Sequence, residues 1–120
     1  MRTWLAALTA CAAVAVPAAA EEAPPGGAWT DCQVSSVAAY RDRIIVRCAA
    51  PPLAKGLDGG QPREFAIESM GPLSDPTLRL ALAAREAARP LAILYVMDPV
   101  ANPSGCPADR CRRIAAVELR

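Results

Sequence analysis

The sequence predicts a small, mainly β domain with one helix, in the order strand, strand, strand, helix, strand, strand. Three observations carry that prediction. Short runs alternate apolar and polar residues at Cys32–Tyr40, Arg43–Cys48 and Glu64–Met70, the period-2 pattern of half-buried strands. One stretch, Thr77–Arg89, is rich in Leu, Ala, Arg and Glu, all strong helix formers, and is followed by Pro90. Two further strands, Leu91–Met97 and Arg113–Leu119, come after that stop.

The chain has 120 residues, and the first twenty have the three-part grammar of a secretory signal. Arg2 supplies the positive end, and Leu5 to Val16 is apolar but shorter than the roughly 20 residues a spanning helix needs. Pro17 breaks the run, and Ala18, Ala19 and Ala20 offer small residues to a signal peptidase. Cleavage after Ala20 is expected, starting the mature chain at Glu21. Leu8-Thr9-Ala10-Cys11 has the outline of a lipoprotein box, but the apolar run continues past Cys11, whereas such a box ends the apolar region. Lipidation at Cys11 is therefore not expected. The anticipated location is the periplasm or the exterior, with no membrane span. Residues 21–28 (EEAPPGGA) read as a flexible leader, and 29–120 as one domain.

The whole chain carries 13 basic and 12 acidic residues; Arg2 lies in the signal and no acid does. The mature part is thus neutral, which gives no electrostatic reason to expect nucleic acid as a partner. Removing Cys11 leaves Cys32, Cys48, Cys106 and Cys111, an even number suited to an oxidising compartment.

Taken in order, the first two strands form a hairpin about the turn Arg41-Asp42. In the second, Ile44, Val46 and Cys48 face one way and Ile45 and Arg47 the other. Facing residues across a turn near position 41 have numbers summing to about 82, and Cys32 and Cys48 sum to 80. Cys106 and Cys111 enclose only Pro107-Ala108-Asp109-Arg110. Four cysteines allow three connectivities; this spacing favours Cys32–Cys48 with Cys106–Cys111, and the others would tie the hairpin to the C-terminal loop. Residues 49–63 hold Pro51, Pro52, Gly56, Gly59, Gly60 and Pro62 and read as a long loop. In the third strand Phe65 and Ile67 share one face, Glu64 and Glu68 the other.

Asp75 suits a helix N-cap and Pro76 the first helical position. At 100° per residue Leu80, Ala83, Ala84 and Ala87 form an apolar face, while Leu78 and Leu82 fall beside Arg79, Arg85, Glu86 and Arg89. Two readings stand: the arginine stems cover these leucines, or Leu78 and Leu82 contact another copy of the protein. The near-continuous apolar run Leu91–Met97 predicts a central strand. Residues 98–112 form a second long loop. Its Asn102-Pro103-Ser104 is not a glycosylation acceptor, because proline occupies the forbidden position.

The chain contains no histidine, which removes Ser-His-Asp and Cys-His catalysis and the common zinc sites. With all mature cysteines paired, no thiol nucleophile remains. No glycine-rich phosphate loop opens a helix, and Lys55 lies in a loop with no serine near it. Asp98, Asn102 and Asp109 follow no calcium-loop spacing and read as solvated loop polars. No catalytic residue, metal ligand or cofactor is assigned. Arginine is the one functional residue type in quantity. Arg41, Arg43 and Arg47 on the hairpin, with Arg110, Arg112 and Arg113 around the small disulfide, form a candidate anion or partner patch if the fold brings them together. The alternative is a solvated surface interleaved with Asp42 and Asp109.

The element order is that of an OB-like five-stranded barrel with its helix between the third and fourth strands. The run Cys32-Gln33-Val34 to Tyr40, the strand Arg43-Ile44-Ile45-Val46-Arg47-Cys48, the helix Leu78–Arg89 and Pro90–Tyr95 together resemble the B subunits of bacterial AB-type toxins, in particular the subtilase cytotoxin B-like group. The resemblance rests on element order and covers most of the mature chain. It implies an exported ring-forming subunit that binds cell-surface glycans, but Trp29, Tyr40, Phe65 and Tyr95 are its only mature aromatics, and no sugar-binding residue carries over. The expectation is an exported, non-enzymatic binding module, with itself, a protein or a glycan as partner. Its rivals are an oligomeric glycan-binding subunit and an exported enzyme whose carboxylates pair only in the fold.

Overall fold

A computed structural model of the chain describes residues 23–49 and 63–120. The expected signal over residues 1–20, the start of the expected leader and the 50–62 part of the first long loop lie outside the described residues. Six strands and one helix follow in order: β1 (Gly27–Cys32), β2 (Val34–Ala39), β3 (Arg43–Cys48), β4 (Glu64–Glu68), α1 (Ser74–Ala87), β5 (Leu91–Val96) and β6 (Cys111–Leu119). A single 3₁₀ turn, Pro99–Ala101, sits between β5 and β6. The strands form one sheet in the order β1-β5-β6-β4-β3-β2. All neighbours are antiparallel except β4 and β6, which run parallel through Glu64–Ala66 and Cys111–Arg113.

Five strands are expected from the sequence and six are present among the described residues. The chain joins the sheet at Gly27, inside the stretch anticipated as a leader, because β1 pairs along its whole length with β5. A Cβ at Gly27 would lie 3.3 Å from Leu94 Cδ1 and 3.4 Å from the Pro24 carbonyl oxygen, so a larger residue there would ask the leucine tip to give by a few tenths of an ångström. Only Gln33 separates β1 from β2, yet the two strands serve opposite ends of the sheet order. The last strand begins at Cys111 rather than Arg113, since its first three residues pair with β4 before the strand turns to β5.

Side-chain alternation fills one core. Ile44, Val46 and Cys48 from β3, Phe65 and Ile67 from β4, Leu91, Ile93 and Tyr95 from β5, and Ile114 from β6 are all buried together. The Phe65 and Tyr95 rings meet at 5.4 Å between centroids, a tilted contact of the kind aromatic pairs favour. β5 is buried at its first five positions, as a strand between two neighbours should be. The β2–β3 register sums to 83 over most of its length and shifts between Val34 and Ser36. Cys32 lies beyond that ladder, and its bond to Cys48 links the end of β1 to the end of β3 across 5.4 Å between Cα atoms. Closing that 16-residue separation contributes about 3 kcal/mol on a chain-entropy view.

The helix starts one residue before the expected cap. Ser74 is its first residue, Leu73 precedes it without a side-chain cap, and the Ser74 hydroxyl donates back to the Gly71 carbonyl at 2.7 Å. Asp75 therefore sits in the first turn, where its charge complements the helix dipole. The buried face of the helix is Ser74, Thr77, Ala81 and Ala84; of the expected face Leu80, Ala83, Ala84 and Ala87, Ala84 is buried, Leu80 and Ala83 are half-buried and Ala87 is exposed. Small residues at 77, 81 and 84 bring the helix backbone close to the sheet, and Leu78 and Leu80 wedge in on either side of that line. Ala88 ends the helix in the left-handed conformation, φ 52°, and the Arg89 amide donates to the Ala84 carbonyl at 2.9 Å. Among the described residues no helix is long and apolar enough to cross a membrane.

Candidate functional site

The face of β3, β4 and β6 turned away from the core gathers most of the arginines singled out from the sequence. Period-2 alternation sends Arg43, Ile45 and Arg47 outward from β3 and Glu64, Ala66 and Glu68 outward from β4. Antiparallel register then sets Arg43 opposite Glu68 and Arg47 opposite Glu64. Between these charged ends lies a second, smaller apolar cluster of Ile45, Ala66, Cys106 and Cys111. The β5–β6 connection thus folds back over the outer face of the sheet, with the Cys106–Cys111 disulfide as the apolar underside of a roof.

Side chains and carbonyls hold the roof in place. Asn102 Nδ2 donates to the carbonyls of Cys106 at 3.1 Å and Cys111 at 3.0 Å. Asp98 Oδ1 accepts from the Val100 amide at 3.0 Å and starts the 3₁₀ turn. Gly105 has φ +79°, and a Cβ there would stand 2.5 Å from Arg43 Cζ. Arg43 also stacks on the Tyr40 ring, 4.2 Å from its centroid, and its Nη1 donates to Asp42 at 2.8 Å.

These contacts decide what the six arginines do. They do not converge on a common anion site. Arg47 Nε donates to Glu64 at 2.9 Å, and Arg110 reaches the other oxygen of Glu64 at 3.6 Å and Asp109 at 3.9 Å. Arg113 grips Glu68 with both terminal nitrogens and donates Nε to the Ala101 carbonyl. That paired guanidinium holds the Glu68 carboxyl below the usual carboxylate range. Arg112 is 5% exposed and belongs to the other face of β6. It donates to the carbonyls of Met97 at 3.0 Å and of Ala108 and Cys111 at 2.6 Å, tying both ends of the roof together. Burial pushes the neighbouring Tyr95 phenol up, and the Arg112 charge pulls it the other way. Arg41 lies exposed in the β2–β3 turn, where its carbonyl accepts from Ser69 Oγ at 2.7 Å.

Of the two readings of these arginines, the geometry favours the interleaved surface: alternation buries Arg112, the turn carries Arg41 away, and carboxylates, Asp42 and Asp109 among them, pair with the other four. Glu64 and Glu68 share an outward face in the sequence reading, which gives them no role. The signal is present as matched spacing, Arg43 and Arg47 four apart on one strand and Glu64 and Glu68 four apart on the next. Asp98, Asn102 and Asp109 serve the loop itself, and no cluster of His, Cys, Asp and Glu suited to a metal occurs among the described residues.

The pair Leu78 and Leu82 also separates. Leu78 packs against the core, whereas Leu82 is 46% exposed beside a shallow open depression lined by Leu82, Arg85 and Glu86. Four residues on from Leu78, Leu82 is turned about 40° further from the buried line of the helix. Elsewhere, Trp29 on the outer side of β1 lies under Arg120, whose charge also meets Asp31 at 3.4 Å and Glu118 at 3.9 Å. No protein-family model, curated protein or solved structure matches this chain.

Proposed function

We propose that this chain is an exported, non-enzymatic interaction module built on an OB-type barrel, and that it works by contact with protein surfaces. The barrel reading is supported by strand order. Counting β1 and β2 as one strand bent at Gln33, the order β1-β5-β6-β4-β3-β2 runs first, fourth, fifth, third, second and back to first, with the parallel pair between third and fifth. Export is supported by the signal-like first twenty residues, and the two disulfides are compatible with an oxidising compartment.

The observation that carries the functional reading is the roof. Barrels of this type bind oligonucleotides and oligosaccharides on the face of their second and third strands and through the loops after the first and the fourth strands. Here those strands are β3 and β4, and that face is occupied by the chain's own Cys106–Cys111 loop and by ion pairs to Glu64 and Glu68. An absence of histidine and the pairing of all four mature cysteines leave protein contact as the reading that needs no further chemistry.

A glycan array probed with the oxidised mature protein, alongside its intact mass from the periplasmic fraction, tests this. No glycan binding, with a mass starting at Glu21 and four hydrogens below the reduced chain, is expected. Specific glycan binding lost on substituting outer-face residues would overturn it in favour of a toxin-B-like glycan-binding subunit.

A further inference from the structure

The exposed side of α1 carries a charge pattern that is complementary to itself. Asp75, Arg79, Leu82 and Glu86 are all exposed and follow one another at spacings of four, three and four. At 100° per residue they fall within about 60° of the helix circumference, one above the other. Arg89, also exposed, follows three residues later, just past the helix end. Among the described residues none of Asp75, Arg79, Glu86 and Arg89 takes part in an ion pair, whereas acids and arginines of the sheet do. The only large apolar residue exposed on the helix, Leu82, lies at the centre of this row.

We propose that α1 pairs antiparallel with α1 of a second copy of this chain about a two-fold axis beside Leu82. In such a pair, facing residues have position numbers with a constant sum. Positions 79 and 86 sum to 165 and positions 75 and 89 to 164, so the two pairs fall within one position of a single register beside Leu82. Arg79 then meets the partner's Glu86, and Asp75 the partner's Arg89, each pair occurring twice. Arg85 lies about 120° around the helix from Arg79, on the other flank of the row, and so stays clear of the partner's Arg79. Leu82 of each copy enters the depression between the partner's Leu82, Arg85 and Glu86. A parallel arrangement is disfavoured by the same charges, because Arg79 would face Arg79 and Glu86 would face Glu86. The complementarity therefore selects the partner, its direction and its register.

The contact is short. Fourteen residues make a helix about 21 Å long, and one such helix from each copy offers less than the roughly 1,200–2,000 Å² of a stable interface. The dimer is accordingly a weak, dissociating one. It goes beyond the functional reading above: glycan binding would leave it standing, and its failure would leave that reading in place.

Sedimentation velocity on the oxidised mature protein, from about 10 to 500 µM in low salt, tests the pairing. The wild type should shift from monomer to dimer across that range. R79E alone and E86R alone should each weaken dimerisation at least 10-fold, since each sets like charges opposite one another twice. An equimolar mixture of the two variants should form a one-to-one heterodimer. In that mixture positions 79 and 86 are both acidic on the R79E copy and both basic on the E86R copy, so every facing pair is again of opposite sign. Circular dichroism of both variants should match the wild type, as both positions are exposed. A wild type that stays monomeric to 500 µM, a ring of more than two copies, or a mixture that fails to associate would each overturn the proposal.

Discussion

The outer face of β3, β4 and β6 and the outer face of α1 are built from the same residue types and do opposite work. On the sheet, Arg47 and Arg113 meet Glu64 and Glu68 within the chain, and Ile45 is covered by the chain's own loop. On the helix, Arg79, Glu86 and Leu82 are left to solvent. The difference comes from geometry. Neighbouring strands about 5 Å apart bring opposite charges of two segments together, while the outer stripe of a lone helix has no neighbour to answer it. Charged residues of this small domain thus divide into those that complete the fold and those left available to a partner.

If that division is right, substitutions in the two regions separate in what they change. The largest loss of stability is expected from Arg112→Met, which strips the donor from the carbonyls of Met97, Ala108 and Cys111. A cost of about 2–4 kcal/mol, read from denaturant unfolding, is expected; a neutral result would mean that the roof holds without its buried guanidinium. Cys106→Ala with Cys111→Ala should cost about 2 kcal/mol, less than loss of Cys32–Cys48 because only five positions separate the pair. Gly105→Ala should cost about 1–2 kcal/mol, since the residue has positive φ and its new Cβ would collide with Arg43.

Smaller effects follow for single charges. The lowered Glu68 carboxyl adds stability that is complete above the ordinary carboxylate pKa and is lost as pH falls through its folded value. Glu68→Gln should therefore lower stability at neutral pH and leave it unchanged in strong acid. The neutral-pH loss should stay below about 1 kcal/mol, because Glu68 is 46% exposed. On the helix, Ala88→Gly should raise stability by about 1 kcal/mol by relieving the left-handed cap. Arg79→Ala should change unfolding by no more than about 0.5 kcal/mol, its effect appearing in association instead.

Much of the fold is legible in the sequence because the alternation is local. The inward set Ile44, Val46 and Cys48, the outward Glu64 and Glu68, and the buried run at Leu91 each follow from neighbouring residues alone. What escapes is non-local. β1 exists through its pairing with β5, whose residues come far later in the chain, and Gly27 with the Pro24-Pro25-Gly26 before it argues locally for a loop. The parallel pairing of Cys111–Arg113 with β4 has no local mark, so the sequence alone places the last strand two residues late. The fate of the arginines is non-local in the same way: composition counts cations, but only register reveals that Glu64 takes Arg47 and Arg110 and that Glu68 takes Arg113. For Leu78 and Leu82 the helical period is sound and the orientation is not, because small residues at Thr77, Ala81 and Ala84 set which face approaches the sheet.

The most direct test is a two-dimensional amide NMR spectrum of the oxidised mature protein recorded across a dilution series. Concentration-dependent shifts confined to residues 75–89, with Arg43, Arg47, Glu64, Glu68, Gly105 and Arg113 unmoved, are the expected result. Shifts centred on the roofed face of β3, β4 and β6, with the helix unmoved, would contradict the division between a completed sheet and an available helix.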